Sequence, residues 1–177
     1  MLPWGHLAVG YLAYTLAIRA HRRRPPRGPA VIALAIGTQL PDLLDKPLNA
    51  WVGLLPSGRS MGHSLLVALV LGLAVWYLAR RYDHEAVGIA FGVGYVSHVV
   101  ADSISLALAQ QWAMLGYLLW PVTPAYRYPG EADRDILAYL LVNLTTPPHF
   151  ELGLFALAIV VWIYDGRPGL SAIRSVR

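Results

Sequence analysis

Cysteine is absent from the 177 residues, which removes disulfides, thiolate metal ligands and cysteine nucleophiles together. Any metal held by this chain must be bound through His, Asp, Glu or backbone oxygen. Charge is almost as scarce. Only 14% of the residues are Asp, Glu, Lys or Arg against 56% hydrophobic, and the mean hydropathy is +0.49, far from the balance of soluble domains. Such a surface expects lipid as its solvent. The formal net charge is +4, yet the basic residues sit in short segments flanking apolar runs, with no aromatic residues interleaved. That pattern argues against a nucleic-acid partner and reads as membrane orientation.

What the chain does have is a series of apolar runs. A bilayer core of about 30 Å is crossed by roughly 20 apolar residues in helix. Five segments fit, at about 5–20, 29–45, 62–79, 86–110 and 149–165, separated by Gly, Pro and charge clusters. The expected fold is all-α: a single membrane-embedded domain over residues 1–177, a bundle of about five transmembrane helices. A half-length apolar stretch at 112–122 runs into Pro121 and Pro124 and reads as an interfacial or re-entrant piece of an extracytoplasmic loop over about 111–148. Within that loop, Asp135 to Asn143 reads as an amphipathic surface helix ending at Pro147-Pro148.

Orientation follows from the excess of Lys and Arg in cytoplasmic loops. Placing the first loop inside puts Arg19, Arg22, Arg23, Arg24, Arg27, Arg80, Arg81, Arg167, Arg174 and Arg177 on that side. Only Lys46, Arg59, Arg127 and Arg134 remain outside. The N-terminus is then outside and the C-terminus inside, which requires an odd number of spans. The positive cluster follows the first apolar run instead of preceding it, which argues against a cleaved signal peptide. Trp4, Trp51, Trp112 and Trp120 map to the outer interface as an aromatic belt.

Ionisable groups inside membrane helices are costly and point to function or to paired structural roles. They are His6, Asp42, Asp45, His63, His98, Asp102, His149 and Glu151; His21 and His84 fall in the basic loops as solvated groups. His98 and Asp102 are four apart and share one helical face, so they can offer a nitrogen and an oxygen to one ion or simply bond to each other. Depth adds to the pattern. Asp42 lies twelve residues beyond Ala30, where span two enters, and His98 twelve beyond Ala86, where span four enters. At a rise of about 1.5 Å per residue both sit roughly 18 Å from the inner face, with Asp102 roughly 6 Å further out. Spans one and three run the other way and open on Gly5-His6 and Gly62-His63. His6, Asp42, His63, His98 and Asp102 therefore converge on one outer layer. Imidazole with carboxylate and no sulfur suits zinc, manganese, iron or nickel, and a buried polar network tying the bundle together is the alternative. Ser60, Ser64, Ser97 and Ser103 flank these groups and read as helix caps or local bonds, while Arg59 and Arg127 can hold an anionic group such as phosphate. Pro41 should kink span two and free carbonyls near the cluster.

Four motifs stand in order: Gly5-His6, then Pro41-Asp42-Leu43-Leu44-Asp45, then Arg59-Ser60-Met61-Gly62-His63-Ser64-Leu65-Leu66, and finally Gly94-Tyr95-Val96-Ser97-His98-Val99-Val100-Ala101-Asp102. Together they resemble the prokaryotic membrane-bound metal-dependent hydrolases of the YdjM-like family. A Leu119-Trp120-Pro121 element follows, so the resemblance covers residues 5 to about 127. One departure is Gly62, where family members commonly carry Thr. The family looks distantly similar to the zinc-dependent phospholipase C and P1-nuclease group, which is helical and acts on phosphoesters. On that analogy His6, Asp42, His63, His98 and Asp102 are metal ligands, with zinc the first expectation.

The expected activity is hydrolysis of a phosphoester bond in a lipid or lipid-linked substrate by a metal-activated water. Asp45 or Asp102 takes the water proton, and Arg59 and Arg127 hold the anionic head group. A metal or proton transporter is the alternative from another class. It predicts polar residues continuing down the bundle and often an internal repeat, whereas residues 31–36 and 86–93 are almost wholly apolar. A non-catalytic membrane protein with a structural metal or polar network is the third.

Overall fold

The computed structural model describes residues 1–127, 138, 141, 142, 145 and 148–170. Helix α1 (Pro3–Arg22) is followed by α2 (Gly28–Ala50), α3 (Leu65–Arg81) and α4 (Glu85–Leu108); a 3-10 helix (Trp112–Leu119) and α5 (His149–Tyr164) complete the order. Among the described residues there is no strand, in keeping with the all-α expectation. The surface helix expected at Asp135 to Asn143 lies outside the described residues apart from isolated positions, as does most of the loop expected over 111–148.

Local sequence accounts for the helix ends. Proline stands in the first turn of both α1 and α2, where its missing N–H costs nothing. Ser64 caps α3, its hydroxyl accepting from the Leu66 N–H at 3.2 Å. Arg19, His21 and Arg22 close α1, and Arg80 and Arg81 close α3, where cations suit the negative helix end.

Helices α2 and α4 form the central pair, with α1 packed against both, α3 against α4 and α5 against α1. Two glycines permit the crossing. A Cβ on Gly37 would run into the Phe91 carbonyl, and one on Gly94 into the Leu34 carbonyl, so the backbones approach as small residues allow in membrane bundles. Ala33, Phe91, Tyr95, Val99 and Tyr117 fill one side of this pair, and Tyr11, Tyr14, Ala30, Leu34 and Ala90 the other.

A helix stands at each of the five expected spans, but only α4 is both long and apolar enough to cross a membrane by length and composition. Three of the other four fall short for identifiable reasons. Helix α3 has 17 residues and α5 has 16, while α2 carries Asp42, Asp45 and Lys46 in its last turns. His63 was expected inside span three; it precedes α3 instead, in the returning loop.

Candidate metal centre

The centre is built where α1, the end of α2, the loop before α3 and the C-terminal half of α4 meet. Helix α1 supplies His6, α2 supplies Asp42 and Asp45, and α4 supplies His98 and Asp102 one turn apart. The loop brings His63. All five residues expected to be ligands come together, and His6, His63, His98 and Asp102 are buried.

Asp45 organises the loop. Fully buried, it accepts from the backbone N–H groups of Ser60 at 2.7 Å, Gly62 at 2.6 Å and His63 at 3.2 Å. It also accepts from His63 Nδ1 at 2.8 Å. Both oxygens of Asp45, one of the two carboxylates expected to take a water proton, are thus engaged by the loop that carries His63. The Gly62 carbonyl accepts from Tyr95 OH at 2.6 Å. A Cβ on Gly62 would lie 2.7 Å from the Pro41 carbonyl oxygen and 3.2 Å from Asp45 Oδ1, so this chain's loop has no room for the threonine that the resemblance leads one to expect.

His98 is oriented in a parallel way. Its Nδ1 lies 2.7 Å from the Thr38 carbonyl, and since a carbonyl only accepts, Nδ1 carries the proton. Pro41 contributes by removing the N–H that would pair with the Gly37 carbonyl, loosening this turn of α2. Both imidazoles thus spend Nδ1–H on an oxygen and turn bare Nε2 atoms toward one another, 3.1 Å apart. Two acceptors do not face each other at that distance without a cation or proton between them.

Further donors surround the pair. Asp42 Oδ1 is 3.6 Å from His63 Nε2 and 3.7 Å from His98 Nε2, and Asp102 Oδ2 is 3.7 Å from His63 Nε2. His6 stacks on His98 with ring centroids 3.7 Å apart, and its Nε2 is 3.4 Å from Asp102 Oδ1. Neither His6 nitrogen has a hydrogen-bond partner although both are buried, a condition that costs about 1–3 kcal/mol per group unless a ligand relieves it. Ligand atoms around a tetrahedral zinc stand roughly 3.3–3.5 Å from one another, close to all of these separations. The potential ligands form two triplets, His6 with His98 and Asp102, and Asp42 with His63 and His98, each within 4.8 Å. They share His98, whose only uncommitted nitrogen is Nε2, so they describe one centre and not two independent ones.

Cations border the centre. Arg59 Nε donates to Asp102 Oδ2 at 2.7 Å, Lys46 Nζ to Asp42 Oδ2 at 2.6 Å, and the Met1 amino group to Asp102 Oδ1 at 3.1 Å. Arg127 is exposed, and among the described residues no contact joins it to the cluster, against the expectation that it lines the site. His149 is exposed, and the buried Glu151 accepts from the Leu2 N–H at 2.9 Å. Neither belongs to the ligand groups. Ser60, Ser97 and Ser103 each donate to a carbonyl three or four residues back, and Ser64 donates to the Trp120 carbonyl. Trp51 and Trp112 are exposed, while Trp4 and Trp120 are half-buried.

Two features were missed in the sequence. Lys46 was counted only as an outside charge, although its spacing of four from Asp42 is a pairing signal. Asp165 was overlooked: it is buried, accepts from Tyr11 OH at 2.7 Å and Thr15 Oγ1 at 2.6 Å, and pairs with Arg19. The spacing of Tyr11, Thr15 and Arg19 by four marks one face of α1 and was the available clue.

The family model described as YdjM inner membrane protein matches residues 1–170. No curated protein and no solved structure matches the chain. The likeness to the phospholipase C and P1-nuclease group therefore has no match behind it.

Proposed function

This chain belongs to the YdjM family of inner membrane proteins, and on that footing we propose that it is a metal-dependent hydrolase of a phosphoester bond in a lipid or lipid-linked substrate. The observation that carries the proposal is the pair of Nε2 atoms of His63 and His98, 3.1 Å apart, each fixed by a partner on Nδ1. Partners of this kind set the tautomer and aim of metal-binding histidines. The orphaned nitrogens of His6 and the two carboxylates, Asp42 and Asp102, complete a nitrogen-and-oxygen donor set suited to zinc first, and also to manganese, iron or nickel.

His63 and His98 present their Nε2 atoms, Asp42 and Asp102 one oxygen each, and His6 its Nε2. The chemistry that a divalent ion would supply there is a lowered pKa, toward 7, for a bound water and polarisation of a phosphoryl oxygen. Of the two carboxylates suggested as proton acceptors, we assign the role to Asp102 by position: its Oδ2 lies among the donors, 3.7 Å from His63 Nε2, whereas Asp45 sits behind His63 on the Nδ1 side. Arg59 stands where it can meet the anionic part of the substrate. The apolar part is left to lipid and to the exposed outer faces of α3 and α5, which carry Leu69, Val70, Leu73, Leu157, Val160 and Ile163. We place all five helices across the membrane, N-terminus outside, with the centre toward the extracytoplasmic face, on the strength of the Arg distribution.

The test is metal content by elemental mass spectrometry on detergent-purified protein, wild type beside His98→Ala and Asp102→Ala, followed by assay of phospholipid and other phosphoester hydrolysis. Stoichiometric metal lost in both variants with the fold retained, and turnover by the wild type alone, is the expected result. A wild type that stays metal-free after reconstitution with zinc, manganese, iron and nickel overturns the proposal and leaves a proton shared between His63 and His98. Metal without turnover on any lipid phosphoester leaves a structural centre.

A further inference from the structure

Among the described residues two side-chain cations contact the candidate centre, and each does so through a ligand carboxylate. Lys46 Nζ is 2.6 Å from Asp42 Oδ2, and Arg59 Nε is 2.7 Å from Asp102 Oδ2. The pairs grade from inside to outside: Asp102 and Asp42 side chains are 3% and 13% exposed, those of Arg59 and Lys46 28% and 42%. The cations therefore mark the boundary between the buried donors and the exterior, one on the last turns of α2 and the other on the loop before α3.

Charge balance gives this placement a consequence. Three carboxylates count here: Asp42 pairs with Lys46, Asp102 with Arg59 and with the Met1 amino group on Oδ1, and Asp45 lies behind His63. A divalent ion turns the centre positive whether or not that amino group is counted. Both carboxylates would then be shared with the ion, which weakens their hold on the cations. A buried centre with excess positive charge favours an anion at its open side. Lys46 offers three rotatable donors and Arg59 a planar fork, the two modes in which proteins hold phosphate oxygens.

Resting on the metal reading above, we infer that Lys46 and Arg59 form an anion-recognition pair that takes a phosphate-type oxyanion beside the ion, and takes it only when the ion is bound. Lys46 is the new assignment, and it supplies the second cation that the exposed Arg127 does not. The recognised chemistry is a phosphate group, carried either by a lipid head group or by a free ester.

The experiment titrates detergent-solubilised full chain, with zinc and without, against inorganic phosphate and against micelles doped with phosphatidate or phosphatidylcholine. Wild type is compared with Lys46→Gln, Arg59→Gln and the charge-conserving Lys46→Arg, with zinc content measured on each sample. Phosphate binding should appear only with zinc. It should weaken about tenfold or more in each Gln variant, the range expected for a charged hydrogen bond, and be largely retained in Lys46→Arg. Tighter binding of phosphatidate than of inorganic phosphate identifies a lipid source, and equal binding a soluble one; both support the pair. Zinc-loaded protein that binds phosphate no better than zinc-free wild type overturns the inference while the metal reading stands, and this comparison needs no variant to fold. Unchanged affinity in both Gln variants with zinc in place does the same. Protein that takes up no zinc overturns both, and the zinc measurement separates the cases.

Discussion

Asp45 controls the centre without facing it. Its carboxylate fixes the Nδ1–H of His63 and gathers the N–H groups of Ser60, Gly62 and His63, so it sets both the ring's aim and the loop that carries the ring. Asp45→Asn keeps the size but loses one acceptor and cannot satisfy all four donors. Metal affinity should fall about 10- to 100-fold, as for other partners of metal-bound histidines, read by competition with a chromophoric chelator; unchanged affinity would remove Asp45 from the design. Gly62→Ala tests the same loop sterically. Its Cβ would meet the Pro41 carbonyl at 2.7 Å, a backbone atom with little freedom to move. A loss of about 1–3 kcal/mol is expected, seen as a lower melting temperature in detergent, and a neutral result would mean the loop yields. The sequence made Gly62-His63 visible as a motif and left Asp45 between roles. Residue type announces that a carboxylate is chemically useful; which of its neighbours occupy it is decided by a loop returning from 15 residues away.

At the level of helices, α1 works at both ends. His6 enters the centre, and nine residues on, about 14 Å along the axis, Thr15 joins Tyr11 and Arg19 on Asp165. That network ties the end of α5 to α1. Asp165→Ala strands two buried hydroxyls, at about 1–3 kcal/mol for each donor left without an acceptor. Thermal stability in detergent should drop while zinc stoichiometry is preserved, because the centre is remote from the substitution. Loss of zinc in parallel would show that α5 docking and the centre are one cooperative unit. The helices themselves were legible, since apolar runs broken by Gly, Pro and Arg fix where they begin and end to within a few residues. The Asp165 network was not, because it joins positions about 150 apart in the chain and periodicity within one helix names only half of each partnership. The expected third span also began three residues early, at 62 and not at Leu65, which put His63 inside it; the Ser64 cap marks the true start.

Across the whole molecule, helix rise was enough to predict that His6, Asp42, His63, His98 and Asp102 share a layer, because depth along parallel rods is a one-dimensional quantity that a sequence carries. The sidedness of that layer is a separate matter. It rests on ten Arg lying at one end of the expected spans and on the tendency of cytoplasmic loops to be basic. The absence of cysteine makes it directly measurable, since any introduced thiol is the only one to react. Val52, exposed just past the end of α2, and Tyr82, exposed in the turn between α3 and α4, sit at opposite ends of α3. In intact cells a membrane-impermeant maleimide should label Val52→Cys and leave Tyr82→Cys unlabelled until the membrane is permeabilised. The reverse pattern would turn the centre toward the cytoplasm: the ligand geometry would be untouched, but substrates would have to come from the inner leaflet or the cytoplasm. Labelling of both positions without permeabilisation would mean that α3 does not cross the bilayer, and with it would go the proposal of five spans.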